Sequence, residues 1–168
     1  REAGMKVSHI LYKVNDLHQA VEEFRHKGFE VEFGAARNPY NALIYFSEGP
    51  YLELLASTGM PPRMKGFLRA LGKDGLADRL DFWDSHGGGL CGLALENYEK
   101  NLNREKRVLR QHKLGYSLMR SRRNDARGRK LRFTCLFPDE LQIPFLMAYF
   151  NIDPKPKNFV HPNGVQRI

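Results

Sequence analysis

Cysteine is scarce in this chain: Cys91 and Cys135 are the only two in 168 residues, and each lies inside an apolar stretch. That excludes a disulfide framework and suits buried thiols in a reducing compartment, so the expected location is cytoplasmic. No apolar run approaches the roughly 20 residues of a membrane-spanning helix. No charged-then-apolar signal segment is seen either, so no membrane partner is expected. Arg1 to Gly4 stand ahead of Met5 and read as a non-native leader. Also missing are a P-loop, a nucleophile elbow, a zinc-binding cysteine pair and a Ser-His-Asp order. Gly87-Gly88-Gly89 lacks the GxGxxG spacing and the strand-then-helix order of a dinucleotide loop, and reads as a flexible connector.

Acidic residues are short as well, 19 Asp and Glu against 27 Lys and Arg, for a formal net charge of +8. The excess gathers at Arg120, Arg122, Arg123, Arg127, Arg129, Lys130 and Arg132, around a turn at Asn124 to Gly128. This pattern is a hairpin tip. No aromatic residues interleave with these arginines to stack bases, so nucleic acid is a disfavoured partner. A solvated loop is the plain reading, and a clamp for an acidic ligand the alternative.

What is present is an order of elements that occurs twice. Val7 to Val14 reads as a strand; Asn15-Asp16 offers an N-cap to a helix whose stripe is Leu17, Ala20, Val21 and Phe24, ending at Gly28. Strands follow at Phe29 to Phe33, Ala42 to Phe46 and Tyr51 to Ala56. Residues 58–89 form a linker with helices, broken by glycines. The order then returns: a strand at Leu90 to Leu95, a longer helix from Asn97 to near Lys113, and strands at Tyr116 to Arg120, Leu131 to Phe137 and Leu141 to Tyr149. The expected division is a first β-α-β-β-β module at 5–57, the linker, a second module at 90–150, and an irregular tail at 151–168. An extended arm packing across the sheet, or against a second copy, is expected of that tail. The fold class is α+β: two β-α-β-β-β modules forming one curved mixed sheet around a cavity, helices outside.

Ser8-His9-Ile10, Val14 to Leu17, Asn41 to Phe46, Tyr51 to Leu55, Pro144-Phe145-Leu146 and His161 to Gly164, in that order, resemble the glyoxalase-like domains of the vicinal oxygen chelate superfamily. The resemblance covers nearly everything from Lys6 onward. It implies a cupped sheet around a ligand and, in metal-dependent members, a His on the first strand and a Glu on the fourth of each half holding a divalent metal ion. His9 and Glu53 stand at those two positions in the first half. Strand alternation points His9 and Leu11 one way and Ile10, Tyr12 and Val14 the other; Tyr51, Glu53 and Leu55 likewise oppose Leu52 and Leu54. His9 and Glu53 therefore share the cavity face. By the same counting the second-half positions fall at Leu90 and Pro144, which cannot coordinate.

The cofactor expected is therefore none, with a divalent metal ion on His9 and Glu53 as the weaker alternative. Glu53 is the candidate catalytic residue, a proton-transfer base if its pKa is raised by burial, or else a partner of His9. Ligand contacts are expected from His9, Tyr51, Asn41 and Trp83, although a lone tryptophan between two halves is more often packing. Cys135, in an apolar strand, is not expected to be a nucleophile. The functions in competition are a small-molecule enzyme of lyase, isomerase or dioxygenase type, a protein that sequesters a small organic ligand without turnover, and a structural or interaction domain. A homodimer is left open.

Overall fold

In a computed structural model that describes residues 4–168, β1 (Lys6–Lys13) leads into α1 (Leu17–His26), β2 (Glu32–Phe33), β3 (Asn41–Ile44) and β4 (Tyr51–Leu55). Arg1 to Ala3, most of the stretch ahead of Met5, lie outside the described residues. Two helices, α2 (Pro62–Ala70) and α3 (Asp74–Ser85), precede β5 (Gly89–Glu96), α4 (Asn103–Gln111), β6 (Tyr116–Asn124), β7 (Lys130–Pro138) and β8 (Phe145–Met147). None of these helices is long and apolar enough to cross a membrane.

The eight strands form one mixed sheet in the order β2-β3-β4-β1-β5-β8-β7-β6. Its two halves mirror each other about the antiparallel β1–β5 seam. On one side β4 runs parallel to β1, and β3 and β2 follow antiparallel; on the other β8 runs parallel to β5, and β7 and β6 follow antiparallel. The α+β architecture of two repeated units in one curved sheet is thus the observed fold.

Three apolar clusters hold the sheet, one on the outer face of each half and one shared between the halves. On the outer face, α1 lays Leu17, Ala20 and Val21 over Ile44, Phe46 and Leu54 of the first half. The helix starts where Asp16 accepts a hydrogen bond from the Gln19 amide at 2.9 Å, and Gly28 follows it at φ 83°. In the second half α4 lays Leu109 over Leu136, Leu146 and Ala148. The third cluster is the inner one. There Leu11, Leu55, Ala94, Leu131, Phe137, Phe145 and Met147 from both halves meet Leu76, Leu80 and Trp83 of α3, so the linker helices close the concave side.

Several elements depart from the expected pattern for local reasons. β2 keeps only Glu32 and Phe33, because the Glu30 amide is taken by His161 Nδ1 at 2.9 Å instead of by a strand. The helix expected from Asn97 begins only at Asn103: Asn97 donates to the Asn101 carbonyl at 2.8 Å and accepts from the Glu99 amide, holding a loop in place of the first turns. β8 is three residues long, not nine. Residues 139–144 turn instead, and the buried Arg79 guanidinium holds that turn by donating to the Pro138, Glu140 and Ile143 carbonyls at 2.8 to 3.0 Å. β6 runs past Arg120 to Asn124, in register with β7 to the hairpin tip.

The tail has no helix or strand, yet it is tied to the first half. His161, 1% exposed, sits among Phe29, Phe46 and Phe159; Asn163 donates to the Lys27 carbonyl, and Gln166 accepts from the Glu48 amide. Gly28 permits this approach, since a Cβ there would lie 2.9 Å from that of Asn163. The arm therefore packs back onto its own chain.

Candidate functional site

A hollow of about 200 Å³ opens on the concave side of the sheet, with His9, Asn41, Tyr51 and Glu53 from the first half and Met119, Arg123, Phe133 and Phe145 from the second among its walls. Trp83 and Leu80 of α3 close one side. A second hollow of about 500 Å³ lies beyond Tyr51 and Phe150, which line both.

Parallel pairing of β1 with β4 sets His9 opposite Tyr51 and Leu11 opposite Glu53. The His9 and Tyr51 rings stack with centroids 4.5 Å apart and an interplanar angle of 11°. The imidazole is fixed at both nitrogens, Nδ1 lying 3.0 Å from the Ser8 hydroxyl and Nε2 3.2 Å from Glu53 Oε2. Glu53 Oε1 accepts a hydrogen bond from Asn41 Nδ2 at 2.8 Å. Asn41 is placed for this by the β3–β4 pairing and by the absence of a side chain at Gly34, where a Cβ would collide with the Asn41 amide. The structure thus brings His9, Asn41, Tyr51 and Glu53 together on one face.

Burial works against the Glu53 carboxylate, but the hydrogen bond and charge of His9, the bond from Asn41 and the charge of Arg123 outweigh it, and its pKa lies below the usual carboxylate value. This corrects the expectation of a raised pKa. A buried carboxyl left alone would be raised; one with two donors aimed at it stays ionised and becomes a weaker base. Tyr51 is pushed well above the ordinary phenol value, first by burial and then by the neighbouring Glu53 charge, so its hydroxyl keeps its proton.

Trp83 lines the hollow, but its Nε1–H is already spent on the Cys91 carbonyl at 3.1 Å and its ring packs edge-on against Phe145 and Phe137. It offers a wall and no free donor. Cys135 is buried and its thiol is pushed up to about 12 by desolvation, then by the Glu53 charge, which keeps it unreactive.

The second half departs from the counting used on the sequence. Leu90 is 69% exposed, away from the hollow. Pairing of Phe145 with Ala94 turns Phe145 and Met147 inward and leaves Pro144 outside, since the turn held by Arg79 shifts the register by one residue. The inward positions of β5 are Ala94, opposite His9, and Gly92, opposite Leu11, where a Cβ would stand 3.0 Å from Trp83 Nε1 and 3.3 Å from Leu11 Cδ2. An imidazole has no room there. The divalent ion that the resemblance implies does not fit this donor set: its imidazole and its carboxylate are bonded to each other, the opposite wall is mostly phenyl and thioether beside the Arg123 cation, and no cluster of three His, Cys, Asp or Glu exists among the described residues.

Arg123, which the sequence groups with the hairpin arginines, is a site residue as well. Its place follows from alternation: with Met119, Ser121 and Arg123 on the inner face, Arg120 and Arg122 face out. Arg123 also hydrogen-bonds Tyr45, whose hydroxyl is held at about 12, raised by burial more than the Arg123 charge lowers it.

Repeated halves, a concave cavity and a polar cluster on the first and fourth strands define a glyoxalase-like fold of the vicinal oxygen chelate type. A family model described as a glyoxalase-like domain matches residues 7–168, and the chain belongs to that family. Among solved structures, a hypothetical protein from Staphylococcus aureus is similar at a TM-score of 0.64 and 16% identity, over 90% of this chain and 61% of that one. The chain thus spans less than two thirds of that protein. Streptomyces coelicolor methylmalonyl-CoA epimerase in complex with 2-nitronate-propionyl-CoA is similar at a TM-score of 0.50 and 18% identity, over 85% of this chain and 94% of that one. At these identities the likeness is one of fold. No curated protein matches the sequence.

Proposed function

We propose that the protein binds a small organic molecule directly in the cup, without a metal ion, as a ligand-sequestering member of its family in the cytoplasm. The observation that carries this reading is Glu53: an ionised carboxylate in a small, largely apolar hollow, held by His9 and Asn41 and facing Arg123. A few fixed polar groups in an apolar cavity suit a ligand with an apolar body and one oxygen-bearing group. Phe133, Phe145 and Met119 hold the body, while Arg123 and the Tyr51 hydroxyl take the polar end. The free thiols Cys91 and Cys135 suit the reducing location.

Proton transfer by Glu53 is the second reading, favoured by its being the one carboxylate lining the cup among the described residues. An epimerase among the similar folds agrees with it. The depressed pKa weighs against it, because a weak base removes only a strongly acidified proton.

A thermal-shift screen of small, neutral aromatic and carbonyl-bearing compounds tests both readings. A ligand at 100 times its Kd should stabilise the native protein by about 2.7 kcal/mol. Glu53→Gln should fold and should weaken that ligand about tenfold, or about 1.4 kcal/mol. Solvent deuterium entering the ligand with the native protein and not with Glu53→Gln would favour catalysis. Ligands that stabilise the native protein and Glu53→Gln equally would refute a role for this cluster in binding.

A further inference from the structure

On the outer face of the second half, α4 stops short. Its apolar side covers Leu136 and Leu146, but the far end of the β6–β7 hairpin extends beyond it, exposed to solvent. There the register sets Arg122 directly opposite Arg132, with Arg120 opposite Thr134 and Lys130 opposite Asn124. All four cations lie on one face, on three consecutive outward-facing rungs. Like charges directly across a ladder are destabilising, and those on the diagonals add to the repulsion.

Nothing acidic among the described residues relieves it. The hairpin's ion pairs are those of Arg127 and Arg129 with the buried Asp125, and none reaches Arg120, Arg122, Lys130 or Arg132 among the described residues. The contrast with Arg127 and Arg129 matters, because the same tip pairs its cations where it needs them for the turn. The four outer ones border two adjoining hollows of about 430 and 400 Å³ that share Arg122 and Arg132. Lys100 and Tyr149 complete the first, and no Asp or Glu lines either among the described residues.

We propose that this outer hollow is a binding site for a diphosphate group, such as that of a nucleoside diphosphate. Two guanidiniums side by side across one rung present parallel forks of donors, which suit phosphoryl oxygens bidentately. One carboxylate would neutralise one of them; a diphosphate carries enough charge to bridge Arg122 and Arg132 and to reach Arg120 or Lys130. The paired hollows have room for more than a single ion, and Tyr149 gives a flat ring beside the cations. A long polyanion is disfavoured, since the adjoining hollow that shares Arg122 and Arg132 has no aromatic residue in its walls, among the described residues, for successive bases. The site is separate from the cup reading and does not depend on it.

Titration calorimetry with pyrophosphate and with ADP, at about 50 mM salt and again at higher salt, tests the proposal. One saturable site per chain is expected, with affinity falling steeply as salt rises. Arg122→Gln/Arg132→Gln should bind at least about tenfold more weakly, while Glu53→Gln should bind as the native protein does. Melting adds two readouts: relief of repulsion between the cations, which any such patch would show, and a rise with pyrophosphate, which only a binding site gives. The double variant should melt above the native protein in the absence of anion, and it should lose the rise that pyrophosphate produces. Lys130→Gln alone should move both readouts in the same direction, which covers a failure of the double variant to fold. Absence of saturation, affinity unchanged in the double variant, or a single-stranded oligonucleotide whose affinity grows with length beyond that of ADP would each overturn the proposal.

Discussion

Replacing Asn41 by Leu removes one of the two donors to Glu53 while keeping the number and branching of side-chain heavy atoms. The bond lost is Asn41 Nδ2 to Glu53 Oε1, 2.8 Å long, to a carboxylate only 15% exposed. Hydrogen bonds to a charged group are worth about 1.5 to 3 kcal/mol, and the oxygen left behind is too deep for water to replace the donor fully. A domain of this size moves by about 2 to 4 °C in melting temperature per kcal/mol, so Asn41→Leu should melt roughly 3 to 12 °C lower at pH 7. The loss should also depend on pH. Glu53 has a folded pKa below its unfolded one, so its contribution is present above the unfolded pKa and is lost as pH falls through the folded one. Asn41→Leu shifts the folded pKa upward, narrowing that difference. The gap between native protein and variant should therefore be full at pH 7 and shrink below pH of about 4, the range of an ordinary carboxyl. Urea denaturation at several pH values measures it. Equal stability at pH 7, or a gap that does not change with pH, would refute the view that Asn41 holds an ionised Glu53.

Gly92→Ala places a methyl 3.0 Å from Trp83 Nε1 and 3.3 Å from Leu11 Cδ2. Overpacking of this kind costs about 1 to 3 kcal/mol, and the shift of Trp83 should show in tryptophan fluorescence; an unchanged spectrum and melting temperature would mean that the wall is soft. His161, buried with Nδ1 accepting the Glu30 amide, has its pKa lowered by desolvation. The unfolded chain then binds the proton more readily, so no penalty acts above pH of about 6.5, and one grows as pH falls from there to the folded value. Stability should drop between pH 7 and 5, and His161→Phe should flatten that slope; identical slopes would place the acid sensitivity elsewhere.

The repeat was legible in the sequence because each half must bury one sheet face, and that requirement writes the alternation of Ile10, Tyr12 and Val14 against His9 and Leu11, and the helical stripe of Leu17, Ala20 and Val21. A period of two fixes which side chains share a face, so alternation alone puts His9 and Glu53 on the cavity side. Their partnership with Asn41 is not fixed that way. It depends on the pairing of β3 with β4 and on the space left by Gly34, which alternation along one strand does not reveal.

Counting failed where loop length, not periodicity, sets position: Arg79, distant in sequence, pins the 139–144 turn and moves Phe145 into the place given to Pro144. The ionisation of Glu53 was likewise a tertiary matter. Burial alone would have raised its pKa, and the sign was reversed by His9, Asn41 and Arg123, drawn from three other strands. Arg122 and Arg123 show the division most plainly. Composition made both basic, but only the register of β6 on β7 sends one into the cup and sets the other against Arg132 on the outer face, because successive residues of a strand point to opposite sides of the sheet.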